Sequence, residues 1–168
     1  MSLIVEDGTG LSTAQSYASV AEADAYHLAL GNTSWGTATT ANKETALTRA
    51  SRALDGMYGA RWPGLRVQPS QALDWPRFDA EDREGYEVAS DSVPQAVKNA
   101  CCEAALVELG EAYALSKSLD RGGRVKREKL GALETEYADG APAGKSYPAI
   151  YQALARLIPS AGLTIRRA

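Results

Sequence analysis

A charged, β-patterned stretch, Arg124-Val125-Lys126-Arg127-Glu128-Lys129-Leu130-Gly131-Ala132-Leu133-Glu134-Thr135-Glu136-Tyr137, interrupts a chain that otherwise reads as helix. Leu133, Thr135 and Tyr137 alternate with Glu134 and Glu136, the period-two pattern of a half-buried strand. Gly131 sits where the chain would turn. The pattern demands a β-ribbon between helices. It contains no nucleophile, histidine or metal-ligand cluster, so a ribbon that meets a partner explains it better than a catalytic loop does.

Around the ribbon the sequence predicts four helices. The first runs from Ser19 to about Leu30. Ser19 and Glu22 have capping-box spacing, and Gly31 is a natural stop. The second covers Thr40 to Tyr58, with Leu47, Ala50, Leu54 and Met57 forming one apolar stripe. The third is the longest, Val93 to Leu119. A second capping pair, Ser92 and Gln95, opens it, with Pro94 in the first turn. Its apolar surface is Val97, Cys101, Ala104, Ala105, Leu109 and Tyr113, so Leu54 and Leu109 are both expected in the core. The fourth starts near Ser146 and buries Ile150, Leu154, Leu157 and Ile158.

The 168 residues suggest one domain, and a chain of this length can bury a core without disulfides or metals. The expected architecture is mainly α: a small bundle of about four helices with a β-hairpin inserted before the last. Its parts are an N-terminal arm (1–17), a long loop (60–91), the ribbon (121–139) and a C-terminal tail (159–168). The tail is expected to be mobile in isolation. An alanine-rich composition with only 7% aromatics suits closely packed helices. In the long loop, Trp62 and Trp75 read as pins that fasten it to the helices. As stacking platforms for a single strand they would be opposed by Asp79, Glu81, Asp82 and Glu84, which repel phosphate.

Enzymatic signatures are absent. The one histidine, His27, reads as a core or rim residue of a helix. No dinucleotide fingerprint, phosphate-binding loop, nucleophile elbow or zinc-type Cys/His spacing occurs. The acid pairs Asp79 with Asp82 and Glu134 with Glu136 read as solvated. Cys101 and Cys102 are adjacent and face different directions on a helix, so they read as small apolar residues. The expectation is a non-enzymatic protein with no catalytic, cofactor or metal site. Unpaired cysteines suit a reducing compartment. Without a secretory signal or a run of about 18 apolar residues, the chain is expected to be soluble, made in a cytoplasm, and without a membrane partner.

Charge is the remaining signal. The net charge of −3 and pI of about 5.3 give no global reason to bind nucleic acid, since such domains often have pI above about 9. Locally, Arg121, Arg124, Lys126, Arg127 and Lys129 put five cations in nine residues, and Glu134, Glu136 and Asp139 follow on the returning limb. A ribbon with one basic and one acidic limb can pair head to tail or dock on a mixed-charge partner. A solvated hairpin whose limbs neutralise each other is the alternative.

The order of elements resembles a known group. Leu3-Ile4-Val5-Glu6-Asp7-Gly8-Thr9-Gly10, then Ser16-Tyr17-Ala18-Ser19-Val20-Ala21-Glu22-Ala23-Asp24-Ala25-Tyr26, are similar to small structural proteins encoded among phage head and tail genes. So are Ala72-Leu73-Asp74-Trp75-Pro76-Arg77 and Val93-Pro94-Gln95-Ala96-Val97-Lys98. The ribbon, with Lys129-Leu130-Gly131 and Glu134-Thr135-Glu136-Tyr137, resembles head–tail connector (adaptor) proteins of tailed phages. That resemblance implies a ring, usually of twelve copies, at the virion neck. The ring would sit below the portal protein, contact the next neck or tail protein, and extend a channel through which double-stranded DNA passes without being read. It implies partner-binding roles for Arg124, Lys126, Arg127, Lys129, Glu134, Glu136 and Tyr137. For Ile165, Arg166 and Arg167 it implies contact with the portal. Similar sequences also carry the label DnaT-like single-stranded-DNA-binding protein, which implies a replication accessory role instead.

Overall fold

Ser19, itself in an extended backbone state, turns the N-terminal arm into the first helix, α1 (Val20–Ala29). Its Oγ accepts the Glu22 N–H at 3.2 Å while the Glu22 carboxylate takes the Ser19 N–H at 2.7 Å. This reciprocal pair satisfies two orphan donors of the first turn. Leu30 caps the other end, and Gly31 follows at φ +72°, a backbone state that glycine enters without steric cost. Replacing Ser19 by Ala is expected to cost about 1 kcal/mol, read as a shift of the urea midpoint. An unchanged midpoint would show that the cap adds nothing to the fold.

The molecule, a computed structural model, is described for residues 2–116, 127–130, 133–136 and 147–158. After α1 comes a single helical turn, α2 (Thr33–Gly36), which makes five helices among the described residues where about four were expected. Four residues are too few to leave a periodic signal. What holds α2 is Trp35, fully buried, whose indole N–H donates to Asp24 Oδ1 at 2.7 Å and whose ring packs on His27.

Helix α3 (Thr40–Tyr58) has the predicted bounds. Leu47, Ala50 and Leu54 are fully buried, as their stripe requires, but Met57 is 40% exposed. The buried stripe ends a turn before the helix does. A 3₁₀ turn, Gly59–Arg61, follows.

Helix α4 (Gln95–Gly110) is shorter at both ends than the expected Val93–Leu119. Pro94 is its N-cap, without a capping side chain, so Ser92 and Gln95 form no capping box. Gln95 is already the first helical residue, too early to reach back. At the far end the chain turns extended at Glu111 and left-handed at Tyr113 (φ +61°). Glu108 decides that ending. It is fully buried, and its carboxylate accepts the N–H groups of Tyr113 at 2.6 Å and Leu115 at 3.0 Å. The buried stripe therefore runs Val97, Cys101, Ala104, Ala105, Glu108. Leu109 is only half-buried and Tyr113 is exposed, which corrects both expectations.

Helices α3 and α4 form the main packing pair, and α4 also packs on α5 (Pro148–Leu154) and α1. Alanines at 50, 100, 104 and 105, all fully buried, suit close approach of the helix backbones. Ile150, Leu154, Leu157 and Ile158 are buried from the other side, as predicted.

The long loop is organised rather than open. Trp62 and Trp75 are buried edge to face, 5.9 Å between ring centres, and they pin it as expected. Two short strands, β1 (Leu65–Arg66) and β2 (Arg77–Phe78), pair antiparallel. The buried Arg77 guanidinium donates to three loop carbonyls, of Pro63, Gly64 and Asp74. In the arm, buried Glu6 accepts the N–H groups of Gly8, Gly10 and Leu11 at 2.9–3.0 Å. Gly8 (φ +102°) lies so close to the Asp91 carbonyl that no side chain fits there.

The second hairpin, β3 (Arg127–Leu130) with β4 (Leu133–Glu136), belongs to a separate compact unit, residues 117–147, inserted between α4 and α5.

Candidate functional site

The hairpin carries charged ribbon residues, and β4 forms where the alternation predicts a strand. Strands β3 and β4 are antiparallel, with Arg127 opposite Glu136, Lys129 opposite Glu134, and Leu130 opposite Leu133. Of the predicted partner-binding residues, the structure brings together Arg127, Lys129, Glu134 and Glu136. Arg124, Lys126, Tyr137, Ile165, Arg166 and Arg167 lie outside the described residues. The unit as a whole is basic. Residues 117–147 hold seven Lys/Arg against five Asp/Glu, a net +2, which leaves −5 for the rest of a chain whose total is −3.

The helical unit shows the opposite character around residues 65–91. Asp79, Glu81, Glu84, Glu87 and Asp91 are exposed. Both loop tryptophans face inward and present no stacking surface. The aromatic side chains exposed in this stretch are Phe78 and Tyr86.

Sequence reasoning missed a buried polar node where the loop meets α3. The Tyr17 hydroxyl donates to Asp55 Oδ1 and accepts the N–H groups of Asp74 (3.0 Å) and Trp75 (3.3 Å). Asp55 Oδ2 also accepts the Asp74 N–H at 3.2 Å. Burial, with the nearby Asp74 charge adding to it, pushes the Asp55 carboxyl up to about 7. Burial and the Asp55 charge hold Tyr17 well above its usual range. These groups are spent on one another, and the node clamps the Trp75 end of the loop onto α3. The available signal was Asp55's place beside the buried position Leu54; its partners are distant in sequence.

His27 is a core residue, as predicted. Its Nε2–H donates to the Cys102 carbonyl at 3.1 Å and its Nδ1 accepts from Asn32 Nδ2 at 3.0 Å. Burial lowers its pKa, which favours the neutral ring. A cleft of about 480 Å³ opens beside it, but its charged groups already face each other: Lys43 Nζ lies 2.8 Å from Asp24 Oδ1. Cys101 and Cys102 are buried free thiols, and burial raises the pKa of each. Among the described residues, no group of three or more His, Cys, Asp or Glu could hold a metal ion. None of the described helices is long and apolar enough to cross a membrane.

No curated protein and no solved structure matches the chain. A family model does, over residues 1–168. The match spans the arm, the helices and the hairpin alike, and on that footing the chain belongs to the family described as "Putative DnaT-like ssDNA binding protein".

Proposed function

We propose that this protein is a non-enzymatic structural subunit of a tailed-phage neck, a head–tail connector that assembles as a ring below the portal. The observation that carries this reading is the placement of the β3–β4 hairpin as a unit of its own between the last long helix and a terminal helix. The connector resemblance implies a small helical bundle with a β-hairpin between the last long helix and a terminal segment. A two-stranded ribbon is marginal alone, and its open edges invite pairing with another chain. A head-to-tail contact closes a ring when its rotation permits. The acidic helical unit suits a channel through which DNA passes, because a lumen that gripped phosphate would slow it.

The test is complementation of a phage lacking this gene. The wild-type copy is expected to restore joined heads and tails, counted by electron microscopy. Lys126→Glu with Arg127→Glu is expected to fail while its circular dichroism stays native. Normal yield from that variant would remove the ribbon from the assembly interface.

A second reading, a single-stranded-DNA-binding accessory protein, is favoured by the family description and by the five cations in residues 121–129. Against it stand the acidic helical unit and the inward-facing tryptophans. Fluorescence anisotropy with a labelled single strand separates the two readings. Negligible binding at physiological salt is expected. Sub-micromolar affinity with a steep salt slope would establish the DNA-binding reading instead.

A further inference from the structure

We propose that the meander of residues 65–88 is the docking face for the basic segment 124–129 of a second copy of this chain. The inference rests on the self-assembling reading above and names the two surfaces that would meet.

The meander is a preformed surface. Leu65 and Arg66 pair with Phe78 and Arg77. The chain then folds back through the Glu81–Glu87 bridge, with the Val88 N–H on the Ala80 carbonyl at 2.8 Å and the Asp82 N–H on Tyr86 at 2.9 Å. Its tip is tied down, because the Arg83 N–H donates to the Arg156 carbonyl at 2.7 Å. Little ordering remains to be done when a partner arrives.

The meander exposes both apolar and acidic side chains. Leu65 and Phe78 stand directly opposite each other and are 61% and 39% exposed, and Tyr86 is 69% exposed. Within the same stretch of chain the acids Asp79, Glu81, Glu84 and Glu87 are exposed. Arg83 is the one cation between residues 79 and 91, and its Nη1 points back to the Ala155 carbonyl. Arg66, next to Leu65 on β1, is exposed as well, so the acids outnumber the cations here rather than exclude them. Exposed apolar groups beside an excess of one charge mark an interaction surface.

Charge selects the occupant. Residues 124–129 carry four cations and one acid. The two stretches are complementary in sign, and complementary fields steer encounter and set register. Nucleic acid is disfavoured at this face, since the acids repel phosphate. A contact from the hairpin of one copy to the meander of the next is head to tail, so it can propagate around a closed ring.

The test uses the full-length protein in sedimentation velocity. Wild type is expected to associate with rising concentration at low salt. It should dissociate at about 1 M salt, where the screening length falls to about 3 Å. Lys126→Glu/Arg127→Glu and, separately, Glu84→Lys/Glu87→Lys should each be monomeric under the low-salt conditions. An equimolar mixture of the two should associate again, because each reversed surface then finds its complement. Glu84→Gln/Glu87→Gln, which only neutralises, should weaken association and guards against misfolding of the lysine variant. A wild type that stays monomeric, association insensitive to the reversals, or a mixture that stays monomeric would each overturn the proposal. Concentration-independent behaviour with hairpin and meander cross-linked within one chain would do so as well. The phage assay separates this proposal from the reading beneath it. If the wild-type gene fails to restore joined particles, the connector reading fails. If wild type restores them and Glu84→Lys/Glu87→Lys does so equally, only the docking face is lost.

Discussion

Leu54→Ala is expected to lower the unfolding free energy by about 2–5 kcal/mol, the range for a leucine truncated in a packed core. Leu54 is fully buried on α3, the helix that makes the main packing contact with α4. The buried residues just before it on α3, Ala50, Ser51 and Ala53, have short side chains that offer little to fill the space left behind. Against a typical total stability of about 5–15 kcal/mol, the loss is large. Leu109→Ala is the control. Leu109 is half-buried, because Glu108 takes the inward position, and its truncation is expected to cost about 1 kcal/mol. Urea melts followed by tryptophan fluorescence read both. Equal losses at the two positions would mean that the α3–α4 core is drawn wrongly.

Asp55 makes stability fall as pH rises. Its carboxyl titrates at about 7 in the fold and at 3.8 when unperturbed. Between those values the folded state holds a proton that the unfolded state has released, so each step up in pH favours unfolding. Below 3.8 both states are protonated and above about 7 both are ionised, and in those ranges the contribution is flat. Three units at about 1.4 kcal/mol each bound the loss at about 4 kcal/mol. Asp74, Arg77 and Tyr17 face the same node. Tyr17 stays protonated throughout the window, so Asp55 is the group that changes. Asp55→Asn keeps an oxygen for the Tyr17 hydroxyl but sets an amide N–H₂ against the Asp74 N–H. It is therefore expected to be less stable than wild type by about 1–3 kcal/mol at pH 5. The gap should close or reverse by pH 8. Parallel stability–pH curves for the two proteins would place the titration elsewhere.

Where these effects arise separates what was legible in the chain from what was not. Local rules were enough for α1, whose Ser19–Glu22 cap closes over three residues, and for α3, whose Leu47–Ala50–Leu54 stripe spans two turns. They also predicted a strand over 133–137, where the alternation recurs every second residue and β4 forms. The pinning of the long loop by Trp62 and Trp75 followed from size and apolar area. Each is a regularity of a few residues, and a few residues are enough to read it.

Local rules failed where a side chain answers to groups far along the chain. Glu108 occupies the inward position that a stripe would give to an apolar residue, because its carboxylate collects the N–H groups released as α4 unwinds. That same unwinding ends the helix at Gly110 and turns Tyr113 outward. Trp35 builds a helical turn out of four residues because Asp24 and His27 wait for it. Tyr17, Asp55 and Asp74 meet across 19–57 residues of sequence. The sequence alone determined α1, α3, the strand of the ribbon and the segregation of charge, since periodicity and sign are properties of neighbours. Tertiary structure alone decided which polar groups go inside, because burying one is tolerable only where distant parts of the chain supply its hydrogen-bond partners.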